Sequence, residues 1–117
     1  DLFIRLQSGL PPVQAAPWGI GLVRLTREHR MAWLAGEVLA EWLGHLRAWL
    51  EDKQLIACGY CQDGRGYMPT DALIPEGGYE VDRSNNYNKT GPGPFAVGIN
   101  ETARQGFLAL EKQIEGV

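Results

Sequence analysis

RMAWLAGEVLAEWLGHLRAWLEDKQLIAC, residues 30–58, opens on an apolar run, passes through a long amphipathic stretch and closes on a second apolar run. Arg30 to Ala35 reads as a strand that Gly36 breaks. Glu37 then opens the clearest helix of the chain: Leu39, Trp42, Leu43, Leu46, Trp49 and Leu50 recur at spacings of three and four, while Glu41, His45, Arg47 and Glu51 fall largely outside that stripe. The helix ends near Asp52-Lys53, and Gln54 to Cys58 follows as a buried strand. Strand, helix, strand in this order predicts a parallel βαβ crossover, because parallel strands need a long connection and a helix supplies it. Both strands of such a unit end on the same edge of the sheet, where open α/β sheets bind ligands. Glu37 follows the first strand and the loop from Gly59 follows the second, so the two are expected to share one rim.

Working upstream, Ile20 to Thr26 reads as a half-buried strand with Val23 and Leu25 on one face and Arg24 on the other. It is joined by the polar turn Arg27-Glu28-His29 to Arg30–Ala35 as a hairpin. The proline-rich lead-in carries one short strand around Val13 to Ala16. Downstream, Gly59 to Glu80 (GYCQDGRGYMPTDALIPEGGYE) is a glycine-rich, polar loop bearing Tyr60, Tyr67 and Tyr79, the kind of segment in which functional groups are presented by a fixed scaffold. Within it, Pro69-Thr70-Asp71 leads into a short helix over Asp71 to Ile74, and Pro75-Glu76-Gly77-Gly78 turns the chain. Asp82 to Pro94 reads as an exposed loop. Asn100 caps a last helix, Glu101 to Glu115, with Ala103, Phe107, Leu110 and Ile114 on its apolar face. The expected fold is α/β, a mixed sheet with a βαβ unit and a C-terminal helix. Trp33, Trp42 and Trp49 fall at packing positions.

The composition sets bounds around this pattern. At 117 residues, 44% hydrophobic and 21% charged, the chain has the make-up of one globular domain, which disfavours collagen, coiled coil and disorder. A formal net charge of -3 argues against nucleic acid as a partner, since phosphate neutralisation needs a basic surface. No run approaches the roughly 18 apolar residues of a membrane-spanning helix. The start DLFIRL carries no initiator Met and no signal-peptide pattern, which fits a fragment or a processed chain. Cys58 and Cys61, spaced C-G-Y-C, are the only cysteines. Thioredoxin-type pairs open a helix, and Gln62-Asp63-Gly64-Arg65-Gly66 is a poor helix start; a structural zinc site needs two more Cys or His ligands, and only His29 and His45 exist. A buried strand residue (Cys58) and a loop residue (Cys61) are therefore expected, with a thiol redox pair as the alternative. The sequons at Asn88 and Asn100 carry meaning only in a secretory eukaryotic host.

From the residues alone, Glu37 is a first-turn carboxylate favoured by the helix dipole, or a ligand; Tyr67 and Tyr79 are amphipathic loop anchors, or members of a site. A resemblance bears on that choice. LAGE at 34–37, the amphipathic stretch after it, the strand leading to GYCQDGRGYMPT at 59–70, EGGYE at 76–80 and GPGPF at 91–95, in this order and spacing, resemble the neutral/alkaline, non-lysosomal ceramidase family, in particular its bacterial ceramidase-like branch. The resemblance covers roughly residues 13–113 and corresponds to the C-terminal part of that family's catalytic domain.

The resemblance implies a zinc-dependent amide hydrolase that cleaves the N-acyl bond of ceramide, or a related lipid or small-molecule amide. It implies two zinc-binding histidines in an upstream part of the same polypeptide, a zinc-binding glutamate matching Glu37 in the AGE triplet, and a zinc-binding tyrosine matching Tyr67 in the GYM triplet. A catalytic tyrosine that polarises the amide carbonyl matches Tyr79 in GGYE. It further suggests a secreted or periplasmic setting. Gln62 stands where members usually have Asn, and Gly64 and Arg65 stand near positions often aromatic or aliphatic, which leaves the substrate open. The alternative is a catalytically silent ceramidase-like domain that binds a ligand or partner through the same rim.

Overall fold

The computed structural model describes residues 17–62, 66–84 and 95–116. The strand expected at Val13–Ala16, Arg65, and most of the loop expected at Asp82–Pro94 lie outside them. Strand β1 (Ile20–Arg24) and strand β2 (Arg30–Leu34) form the expected antiparallel hairpin, Ile20 opposite Leu34 and Arg24 opposite Arg30. A two-residue strand, β3 (Glu37–Val38), precedes helix α1 (Glu41–Trp49); β4 (Ile56–Cys58), β5 (Tyr67–Met68) and helix α2 (Ile99–Glu115) complete the order. β4 returns parallel to β2, Met31 beside Ile56 and Trp33 beside Cys58, so the βαβ unit is present and the three-stranded sheet runs β1-β2-β4. The fold is α/β, with a mixed sheet and a C-terminal helix.

The core lies between this sheet and the two helices. Ala32 and Leu34 of β2, Trp42, Leu46 and Leu50 of and after α1, Leu55, Met68, and Ala103 and Phe107 of α2 form one buried cluster. The helical stripe read from the sequence thus buries at Trp42, Leu46 and Leu50, and the Trp42 indole N–H donates to the Met68 carbonyl at 2.8 Å, which satisfies the ring's one polar atom in the interior. Ile20 and Leu22 pack on the same cluster.

Four local expectations are corrected. Helix α1 begins at Glu41, and Glu37 is a strand residue: its N–H donates to the Gly66 carbonyl at 2.8 Å, so a partner distant in the chain overrides the helical propensity of the segment. The buried face of β1 is Ile20 and Leu22, while Val23 (39% exposed) and Leu25 (52%) face away from the helices. The short helix expected at Asp71–Ile74 is a turn followed by a 3-10 turn at Ile74–Glu76. Helix α2 starts at Ile99, and Asn100 is not its cap. Asp71 takes that role from a distance, its Oδ1 accepting the N–H groups of Gly98 (2.9 Å) and Ile99 (3.0 Å), while Asn100 Oδ1 accepts the Asp71 N–H at 3.0 Å. The reciprocal pair satisfies two otherwise unbonded helix donors and fixes the segment after β5 to α2.

At the opposite end of the sheet, Arg30 binds Asp52 (2.9 Å), Glu111 (2.6 Å) and the Leu50 carbonyl (2.7 Å), joining β2 to the end of α1 and to α2. Among the described residues no helix is long and apolar enough to cross a membrane.

Candidate active site

The rim is built on backbone before any side chain is considered. Gly36 has a left-handed conformation (φ 78°), and a Cβ there would lie 2.7 Å from the Gly66 carbonyl oxygen and 2.8 Å from Trp18 Cζ2. Only glycine satisfies both conditions. The Trp18 indole N–H donates to the Ala35 carbonyl at 2.5 Å and closes one side of this turn. The Gly36 carbonyl accepts the Tyr60 N–H at 2.7 Å, and on its other side β3 pairs parallel with β5, Glu37 beside Tyr67. Glu37 therefore stands between two Gly-Tyr dipeptides, Gly59-Tyr60 and Gly66-Tyr67. The expectation that Glu37 and the tyrosine loop share one rim holds, by direct strand pairing.

Side chains converge on the same point. Glu37 and Tyr67 are half-buried, and the Tyr67 ring meets that of Tyr79 edge to face, centroids 5.8 Å apart at 74°. Tyr60 (63% exposed) and Tyr79 (51% exposed) border the solvent. Hydrogen bonding to the Glu37 carboxylate, then partial burial, pushes the Tyr60 phenol up from 10.0 to about 12. Partial burial first, then the Glu37 charge and hydrogen bonding, raises Tyr67 as well. Both shifts have the same sense, because hydrogen bonding of the protonated phenol, burial and the neighbouring carboxylate all disfavour the phenolate. Tyr60 is a residue to which the sequence pattern assigns no role; the one signal for it there is the Gly-Tyr dipeptide, repeated at 59–60 and 66–67.

Glu37 and Tyr67 offer two oxygen donors side by side. Carboxylate is an ordinary zinc ligand, and a phenol becomes one only when a cation offsets the cost of its ionisation. One carboxylate and one phenol are fewer than the three or four protein donors that a zinc site takes. The remaining positions are not filled from nearby: among the described residues no group of three or more His, Cys, Asp or Glu is placed to hold a metal. His29 lies in the hairpin turn, its Nδ1 3.0 Å from Thr26 Oγ1. His45 stacks on Trp49 with centroids 5.4 Å apart and its Nε2 meets Asn100 Nδ2 at 3.2 Å. Cys58 lies at the end of β4 and Cys61 in the loop after it, both half-buried and both free thiols; Cys61 Sγ donates to the Gly59 carbonyl at 3.5 Å.

Comparison of the chain with protein-family models, with curated proteins and with solved structures finds no match.

Proposed function

We propose that this chain carries half of the active site of a zinc-dependent amidase of the neutral-ceramidase type, acting on the N-acyl bond of ceramide or a related amide, and that an upstream part of the same polypeptide supplies two zinc-binding histidines. The observation that supports the reading best is the pairing of Glu37 with Tyr67 across β3 and β5, with the Tyr79 ring set against Tyr67. These are the three residues to which the resemblance gives roles, and they meet although they lie 30 and 12 residues apart.

In this reading Glu37 and Tyr67 hold the metal. Zinc, when bound, activates water for attack on the amide and polarises its carbonyl. Glu37 contributes the negative charge that keeps a cation at the rim. Tyr67 would give up its hydroxyl proton to bind, and partial burial with the Glu37 charge holds that proton more firmly, so the ion would have to supply the charge that offsets its loss. Tyr79, half-exposed beside Tyr67, would donate a hydrogen bond to the carbonyl oxygen as negative charge gathers there.

The reading is tested by hydrolysis of N-acyl sphingoid bases by the zinc-loaded full-length gene product. Tyr79→Phe is expected to lower kcat by about 100-fold or more, the effect of removing one such donor, with zinc still bound. A wild-type rate in Tyr79→Phe removes the role given to Tyr79. A zinc-loaded, folded wild type inert toward every N-acyl amide tried leaves the silent binding domain in its place.

A further inference from the structure

Behind the rim the core is not closed. A cavity of about 230 Å³ opens between the start of β1, β5 and the first turns of α2. Successive side chains of a strand point to opposite faces, so along β5 Tyr67 belongs to the rim and Met68 to the cavity. The floor is Met68 (3% exposed) and Ala103 (6%), and Ile20 of β1 and Ile99, one turn before Ala103 on α2, form the sides. Trp18 and Phe95 stand half-buried toward the solvent, ring centroids 5.6 Å apart and edge to face at 62°. The Trp18 ring is held in place, its indole N–H given to the Ala35 carbonyl. The one polar side chain of the wall, Thr102, donates its hydroxyl to the Gly98 carbonyl at 3.0 Å. No charged residue lines the space.

A space of this size is no ordinary packing defect. Interiors leave few voids larger than a water molecule, whose share of liquid volume is about 30 Å³, and the atoms lining an empty void lose their contacts on that side. The walls decide what fills it. Water needs several polar partners, which this lining does not offer. A helix of a partner protein, about 10 Å across, is too thick to enter. An apolar cavity of about 150 Å³ is enough to hold benzene, so this one has room for a larger, fused ring. Trp18 and Phe95 offer it edge-to-face contacts, and methionine is a soft, favourable neighbour for an aromatic ring. A charge is shut out, since nothing in the lining compensates for its lost hydration. We propose that this cavity is a binding site for a small neutral aromatic molecule of about the size of indole, held between the Trp18–Phe95 pair and the Met68–Ala103 floor. The site uses no metal and none of Glu37, Tyr67 or Tyr79, so it stands or falls apart from the amidase reading.

The test is isothermal titration with indole of the full-length gene product as wild type, Ala103→Leu and Ile99→Phe, with Tm measured for each in the absence and presence of indole. The wild type is expected to bind saturably with a Kd of about 1 mM or tighter, the range open to so small a ligand, and to gain Tm when indole is present. Ala103→Leu puts a side chain on the floor where the ligand rests. It is expected to weaken binding by about tenfold or more while its own Tm holds or rises, as cavity filling does. Ile99→Phe fills the space from its half-buried side with the same expected loss, which keeps the comparison if Ala103→Leu does not fold. No saturable indole binding by a folded wild type overturns the proposal. Wild-type affinity in a folded filled variant overturns it as well, because indole then sits elsewhere.

Discussion

Glu37 holds a carboxylate within reach of two phenols, and with partial burial it raises the pKa of both. Hydrogen bonding to Glu37, with partial burial, pushes the Tyr60 phenol up to about 12 from an ordinary 10.0. A folded-state value raised above the unfolded one means that the stability tied to the protonated hydroxyl is fully present below pH 10.0 and is lost as pH rises through about 12. Glu37→Gln removes the cause, so Tyr60 is expected to ionise closer to its ordinary value and the alkaline loss of stability to shrink. Ultraviolet difference titration with parallel denaturation reads both; an unchanged late-ionising tyrosine in Glu37→Gln speaks against the contact. Gly36 makes the arrangement possible. With φ 78° and a backbone oxygen 2.7 Å from where a Cβ would stand, Gly36→Ala is expected to cost at least about 1–3 kcal/mol in urea denaturation, and a cost near zero contradicts the geometry. At this scale the sequence named Glu37, Tyr67 and Tyr79 through their resemblance to a family and passed over Tyr60. A left-handed residue such as Tyr60 (φ 58°) leaves no mark in composition or periodicity, and its place beside the rim is recognisable only once the Gly36 carbonyl has a partner.

The elements were legible where their periods were long and illegible where a distant partner decided. The stripe from Trp42 to Leu50 and the second apolar run imply the βαβ unit, and β2, α1 and β4 have that arrangement. Glu37-Val38 reads as the start of the helix because leucine, alanine and glutamate around it favour helix, yet its N–H is taken by Gly66. In β1 both alternating sets are apolar, Ile20 and Leu22 against Val23 and Leu25, so alternation finds the strand and leaves its inner face undecided. The hairpin register resolves it: Ile20 stands opposite buried Leu34 and Leu22 opposite buried Ala32. The two faces predict different costs. Leu34→Ala, fully buried, is expected to lose about 2–5 kcal/mol. Val23→Ala on the outer face is expected to stay within about 0.5 kcal/mol, the ordinary range for a surface change. Equal losses in chemical denaturation would place the core on the wrong side of the sheet.

On the scale of the molecule, the two helices cover one face of the β1-β2-β4 sheet, with Arg30 tying the far end and the reciprocal Asp71–Asn100 pair tying the rim segment to α2. The rim segment is therefore anchored on both sides of Tyr67: at Gly66 by Glu37, and at Asp71 by the start of α2. That anchoring gives the Glu37 and Tyr67 side chains a scaffold able to hold them in place, which a site with exacting geometry requires. The measurement that bears most directly on the account is zinc content by elemental analysis of the full-length gene product, wild type beside Glu37→Ala and Tyr67→Phe. Near-stoichiometric zinc in the wild type that falls in both variants is the predicted result. Zinc retained in full by Glu37→Ala, or none taken up by a folded wild type after metal is added, would contradict the metal site on which the proposed amidase depends.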